Sequence, residues 1–195
     1  MKERWCILIV LLLSFTACNS DKARNEDGQS PYAHKVSQGN PHFDLPDIQQ
    51  NGELIVLTLY GPESYFEFRG EDFGLQFMIA RQYAKSIGAS IRVDVSRDMK
   101  DLVTKLQNGE GDFVAFQIDK VDSLSSLLDY VGEKELFTFM DSLSRQRKDD
   151  SLRPRPRAAW AVRKDSPLLS ASLSQWMTTH QKEFFDYTTI RVKSG

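Results

Sequence analysis

The side chains best suited to recognition chemistry are gathered in Tyr60-Gly-Pro-Glu-Ser-Tyr-Phe-Glu-Phe-Arg-Gly-Glu-Asp-Phe-Gly74. Tyr60, Tyr65 and Phe66 offer aromatic faces, two of them with a hydroxyl, to a sugar or a peptide, and Arg69 can pair with a carboxylate. The same residues also admit a structural reading. Phe66, Phe68 and Phe73 would then cover the open edge of a core, with Arg69 and Glu71 in a solvated turn and Gly70 and Gly74 as turn glycines. Both readings stay open at this level. Elsewhere the sequence has no nucleophile and base constellation, zinc-type spacing or glycine-rich phosphate loop. His34 and His42 lie far from any other candidate ligand. The expectation is therefore no catalytic residue, no metal and no cofactor.

The elements flanking this loop follow from hydrophobic period. Leu54 to Leu59 is a nearly continuous apolar run with β-branched residues, the pattern of a parallel-sheet strand covered on both faces. From Leu75 the period changes: Leu75, Met78, Ile79, Gln82, Tyr83, Ser86 and Ile87 recur at three- and four-residue steps, and Gly88 follows as a stop, which predicts a helix packed on a sheet. Ser90 to Val95 alternates like a strand. Leu102, Val103 and Leu106 share a helix face ending at Asn108-Gly109, and Gly111 to Ile118 is a third strand. This α/β order predicts parallel strands, and open α/β sheets bind ligands outside the carboxyl ends of their strands, where the loop after the first strand lies.

The run GELIVLTLYGPESYFEFRGEDFGLQFMIARQYAKSIGASIRV, followed by LQNGEGDFVAF, resembles the first lobe of periplasmic solute-binding proteins of the amino-acid-binding type (family 3). It is most similar to the solute-binding-like module at the N-terminus of membrane-bound lytic murein transglycosylase F. Ala158-Ala-Trp-Ala-Val-Arg-Lys-Asp-Ser-Pro-Leu169 matches the segment in which that family's chain returns from the second lobe to the first. The likeness covers roughly half of the chain. It implies a single three-layer lobe of the type II periplasmic-binding-protein fold, mostly parallel, with one antiparallel return strand. It also implies that the loop from Tyr60 lines a cleft and that Asp112 caps backbone amides at the helix-to-strand turn. The family's usual arginine clamp after the third strand is missing from Gln117-Ile-Asp-Lys-Val-Asp-Ser123, which leaves Lys120 as a point-charge substitute.

The beginning of the chain has a short basic start and an apolar run, Trp5 to Phe15, too short to span a membrane comfortably, so residues 1–17 read as a signal peptide. Phe15-Thr16-Ala17-Cys18 resembles a bacterial lipobox, with Phe15 in place of the commoner Leu, which implies acylation of Cys18 and a lipid anchor facing the periplasm. Residues 18–50 are polar and aperiodic and read as a flexible tether with a reach of about 30 Å. The net charge of −2 offers no basic field for nucleic acid. Residues 51–195 suit one domain.

Asp129-Tyr-Val-Gly132 and Trp160-Ala-Val-Arg163 read as the outgoing and returning hinge strands, with residues 133–157 a short insert replacing the second lobe. One short helix carrying Leu136, Phe139, Met140 and Leu143, then a charged connector, is all the insert can build. Its removal between Phe137 and Pro154 is expected to cost far less than Trp160→Ala. Ser166 is the expected N-cap of a helix beginning at Pro167 and carrying Leu169, Leu173, Trp176 and Met177, and Phe184, Phe185 and Tyr187 form a last helix. The residues after the return segment are too few for the relatives' catalytic domain, so a non-enzymatic protein is expected. Two functional readings follow: a lipid-anchored lobe that binds a muropeptide or small solute as an accessory to peptidoglycan turnover, or a degenerate lobe that docks a lytic transglycosylase or a permease.

Overall fold

The central sheet is built because β1 (Glu53–Leu59) is apolar on both faces and must be covered twice. The computed structural model describes residues 43–189. In it the sheet has the order β4-β1-β5-β7-β6, with β4 at Ser90–Ser96, β5 at Phe113–Asp119, β6 at Leu128–Val131 and β7 at Ala158–Arg163. β1 pairs in parallel with β4 and β5. β7 pairs antiparallel with both β5 and β6, which makes it the single strand running against the other four. The expected three-layer α/β lobe with one antiparallel return strand is what forms.

One face of the sheet carries the larger core. Leu54, Val56, Phe113, Ala115, Trp160 and Val162 meet α2 (Leu75–Ser86), α4 (Glu133–Arg147), α5 (Pro167–His180) and α6 (Phe184–Thr188) there. On the other face Leu57, Val114, Ile118, Leu128 and Ala161 meet Leu102 and Leu106 of α3 (Met99–Gln107). Trp160 and Val162 thus sit on one face and Ala161 on the other, as the strand period requires. Trp160 is fully buried, lies tilted against Phe113 with ring centres 5.4 Å apart, and donates its Nε1–H to Gln76 Oε1 at 2.8 Å. That bond explains why α2 buries a glutamine: a buried indole N–H left without an acceptor would be costly. The buried face of α2 runs through Leu75, Gln76, Ile79, Ala80, Tyr83 and Ala84, while Ser86 is exposed.

Three expectations are corrected. The stretch read as a tether to residue 50 is ordered from Phe43: α1 (Leu45–Asn51) is closed by a capping box on Asp44 and Asp47, carries Pro46 in its first turn, and buries Ile48 completely. A helix this short gives too little periodic signal to stand out from polar linker composition. The rest of the tether, Cys18, His34 and His42 lie outside the described residues. Ser166 precedes α5 but makes no side-chain cap; its hydroxyl donates to Phe43 O at 2.8 Å, and Asp44 caps the helix instead, accepting from Leu168 N at 2.9 Å and Leu169 N at 2.7 Å. The insert is not a solvated addition either. Leu136, Phe139, Met140 and Leu143 of α4, with Leu152 beyond it, belong to the main core. Deleting Phe137 to Pro154 removes four of them, at about 2 to 5 kcal/mol each, so this deletion is expected to unfold the protein.

Candidate functional site

The loop after β1 is anchored by its backbone. Gly61 N donates to Tyr65 O at 2.8 Å, and the carbonyls of Glu63 and Ser64 accept from Gln76 N and Phe77 N at 3.0 and 3.1 Å, so the loop itself caps the first turn of α2. Ser64 Oγ donates to Leu59 O at 2.7 Å. This fit demands Gly74: its φ is 128°, and a Cβ there would lie 2.2 Å from Ser64 O. Gly74 is therefore a close-approach glycine, not merely a turn glycine. Beyond Tyr65 the chain forms a hairpin, β2 (Phe66–Phe68) and β3 (Glu71–Phe73).

The structure separates the residues singled out in the sequence. Tyr60, at the carboxyl end of β1, is 71% exposed and bridges to Tyr65. Tyr65 donates its hydroxyl to Asp72 Oδ1 at 2.7 Å and packs edge-on against Phe77; desolvation and the Asp72 carboxylate push its pKa up to about 12. Phe66 stacks on Phe73 at 5.6 Å and turns away from Tyr60 toward a cavity beside α2. Arg69 sits at the hairpin tip with φ 55°, its guanidinium 5.2 Å from the Phe68 ring centre. Lys120, just beyond β5, lies 2.6 Å from Glu133 Oε2 and 5.8 Å from the Tyr130 ring centre, with its backbone N–H on Arg157 O. A lysine neutralised in this way is a poor carboxylate anchor, because a ligand would first have to displace Glu133.

A different cation stands at the same end of the sheet. β5 slips in register against β7 between Val114 and Ile118, leaving carbonyls that the ladder does not take. Thr58 Oγ1 donates to Ala115 O at 3.1 Å, and Arg155, brought in by the segment after α4, donates from Nη2 to Gln117 O. Arg155 also lies over Phe116 at 5.6 Å and 3.9 Å from Asp119. Sequence reasoning placed it in a solvated connector, since a charged run gives no sign of which carbonyl it will meet. Ser96 Oγ, at the end of β4, and Gln117 Nε2 are buried without a hydrogen-bond partner. Among the described residues no group of three acidic, His or Cys side chains could hold a metal, and no helix is long and apolar enough to cross a membrane.

No family model matches the chain. Solved structures do. The arginine-bound form of domain 1 from TmArgBP aligns with a TM-score of 0.53 at 14% identity, over 68% of this chain and 97% of that one. This chain has the fold of a solute-binding lobe. The L-cystine solute receptor of Neisseria gonorrhoeae, in its unliganded open conformation, aligns with a TM-score of 0.56 at 13% identity, over 75% of this chain and 93% of that one. An ancestral amino acid-binding protein, a precursor of cyclohexadienyl dehydratase, gives 0.55 at 16% identity, over 73% and 96%. At such identities the likeness is one of fold.

Proposed function

We propose that the protein is a lipid-anchored, periplasm-facing lobe that binds a small solute at the carboxyl ends of β1, β4 and β5. The observation that carries this reading is that domain 1 of TmArgBP, a separate domain spanned almost end to end by this fold, is described in an arginine-bound form. A second lobe is thus no requirement for holding a small solute on such a sheet. In this chain the face offers Tyr60 and the Arg155 guanidinium, with Ser96 and Gln117 carrying unpartnered polar atoms at the same end. The sequence likeness to the transglycosylase module narrows the solute to a muropeptide or stem peptide, and the role to binding without catalysis in peptidoglycan turnover. Calorimetric titration with arginine, cystine, stem peptides and muropeptides is the test. Heat from one of them, abolished by Tyr60→Ala, is expected; silence with all four classes sinks the reading. Anchoring is tested separately, since Cys18→Ser should release the protein from the membrane fraction.

The second reading, a docking module for a lytic transglycosylase or permease, is favoured by the exposed apolar side chains Tyr60, Val95 and Val121 near the strand ends and by the engagement of Lys120 with Glu133. A photo-crosslinker at position 60 should then trap such an enzyme or permease in envelope preparations. Crosslinking to neither refutes docking through this face.

A further inference from the structure

A cavity of about 490 Å³ opens beside the first turn of α2, next to the loop that follows β1. It lies between the loop before β2 and the segment joining α4 to β7, and α6 contributes Thr188 to its wall. Its size falls in the range of small-molecule sites, about 300 to 1,000 Å³. One wall is apolar: Phe66 and Phe73 from the hairpin, Leu75 and Met78 from α2, and Leu152 from the segment after α4. Phe66 therefore serves this cavity and not the rim where Tyr60 stands.

The polar groups of the cavity are unequal. Asp149 Oδ1 already accepts from Ser151 N at 2.9 Å and Ser151 Oγ at 2.7 Å, and the Arg147 charge lies beside it. Arg147 is the cation of the lining, and Arg155, outside it, acts on Glu63 only through its charge. The partly buried Glu63 carboxyl is the group left over. Its backbone carbonyl holds α2, but among the described residues its side chain has neither a hydrogen bond nor an ion pair. Burial pushes its pKa up, Arg155 pulls it back, and the field of Asp149 pushes it further. A positive charge beside Glu63 would relieve both its desolvation and its repulsion by Asp149, whereas an anion would meet two carboxylates against the single Arg147 guanidinium.

We propose that this cavity is a second ligand site, for a small molecule with an apolar stem ending in a primary ammonium group, the stem lying along Phe66, Leu75, Met78 and Leu152 and the ammonium on Glu63. The site rests on the fold alone and stands whether or not a solute binds at the strand ends. A matched set of probes tests it: hexylamine, hexanol and hexanoate, titrated into the mature protein from residue 18 on carrying Cys18→Ser, so that neither the apolar leader nor an acyl chain brings in a detergent to compete for the alkyl chain. Hexylamine is expected to bind at least tenfold more tightly than hexanol, with hexanoate weakest. Glu63→Gln should cost hexylamine that tenfold advantage and leave hexanol unchanged. Methyl NMR should show the shifts at Met78 and Leu152. Equal binding of hexanoate and hexylamine, an unaltered Glu63→Gln variant, or methyl shifts confined to Val95 and Val121 near the strand ends would each overturn the proposal. Met78→Trp, which fills the cavity without touching Glu63, should abolish binding of hexylamine and hexanol alike, and a Met78→Trp protein that still binds hexylamine also defeats it.

Discussion

The two ends of the central sheet are built on opposite terms. At the amino ends of β1 and β5 nearly every strong polar group is spoken for. Arg163, 6% exposed, donates to Leu106 O at 3.2 Å, to Gly111 O, to Phe43 O at 3.3 Å and to Ser166 Oγ at 3.3 Å. Asp112 accepts from Ile55 N at 2.7 Å, and Asp44 caps α1 and α5 together. At the carboxyl ends Tyr60 stands in solvent, β5 bulges, and Ser96 Oγ and Gln117 Nε2 are buried without partners. Of the amino-end cluster only Arg163 Nε shares that condition. A closed polar network fixes geometry, whereas unsatisfied groups at a sheet end remain available to something that binds. The first end holds the fold together and the second is where recognition can occur.

Arg163 gives the largest expected effect on this comparison. Arg163→Met takes away the donor aimed at Gly111 O and leaves Asp112 without its buried countercharge, at a cost of about 3 to 5 kcal/mol in urea denaturation. A loss below about 1 kcal/mol would mean that the amino end is no more demanding than the carboxyl end.

Asp112 sharpens the contrast through pH. Burial pushes its carboxyl up to about 6, against the opposing effects of the Ile55 N–H and Arg163. In the unfolded chain the value is about 3.9. Between these pH values the folded state holds the proton more tightly, so stability falls as pH rises from about 4 to about 6. The full difference is about 3 kcal/mol, at ~1.4 kcal/mol per pH unit. Asp112→Asn keeps an acceptor for Ile55 N and should remove this part of the pH profile. Unfolding midpoints of both proteins across pH 4 to 7 (about the window set by those values) decide the matter, and parallel profiles would show that Asp112 is not the group responsible.

Asp44→Ala removes one residue that caps two helices, so about 2 kcal/mol is expected, the upper end of what a single cap contributes. Hydrogen exchange should quicken at Leu168 and Leu169 as well as at Leu45; acceleration at Leu45 alone would break the link between the two helices. The smallest effect belongs to the other end. Tyr60→Ala should change stability by less than about 0.5 kcal/mol, and a larger loss would make Tyr60 part of the framework instead of a contact for a ligand.

How far the sequence was legible depends on the kind of signal. Leu54 to Leu59, the α2 period, and the Trp160 to Arg163 alternation each report locally which face is covered, and all three elements formed where expected. The α4 helix was also visible in Leu136, Phe139, Met140 and Leu143, but its weight was misjudged, because one amphipathic stripe does not say how much core awaits it. Of the candidate site, Tyr60 stands exposed at a strand end, whereas Phe66 stacks on Phe73 and Lys120 pairs with Glu133, contacts that local composition does not announce. Glu63 and Arg155 carried no signal of their own, being ordinary charges in polar runs.

The amino-acid sequence by itself determined the α/β order and the doubly covered first strand, because hydrophobic period is written along the chain and needs no partner to be read, while the return strand was legible through its resemblance to the family's return segment. Only the tertiary structure decided that Asp44 caps a helix 124 residues away, that Arg155 closes a bulge 38 residues before it, and that Glu63 lines a cavity with no hydrogen bond or ion pair to another described residue. The partner of a charged or hydrogen-bonding group is set by which distant segments the packed core brings within about 3 Å, and local composition holds no record of that distance.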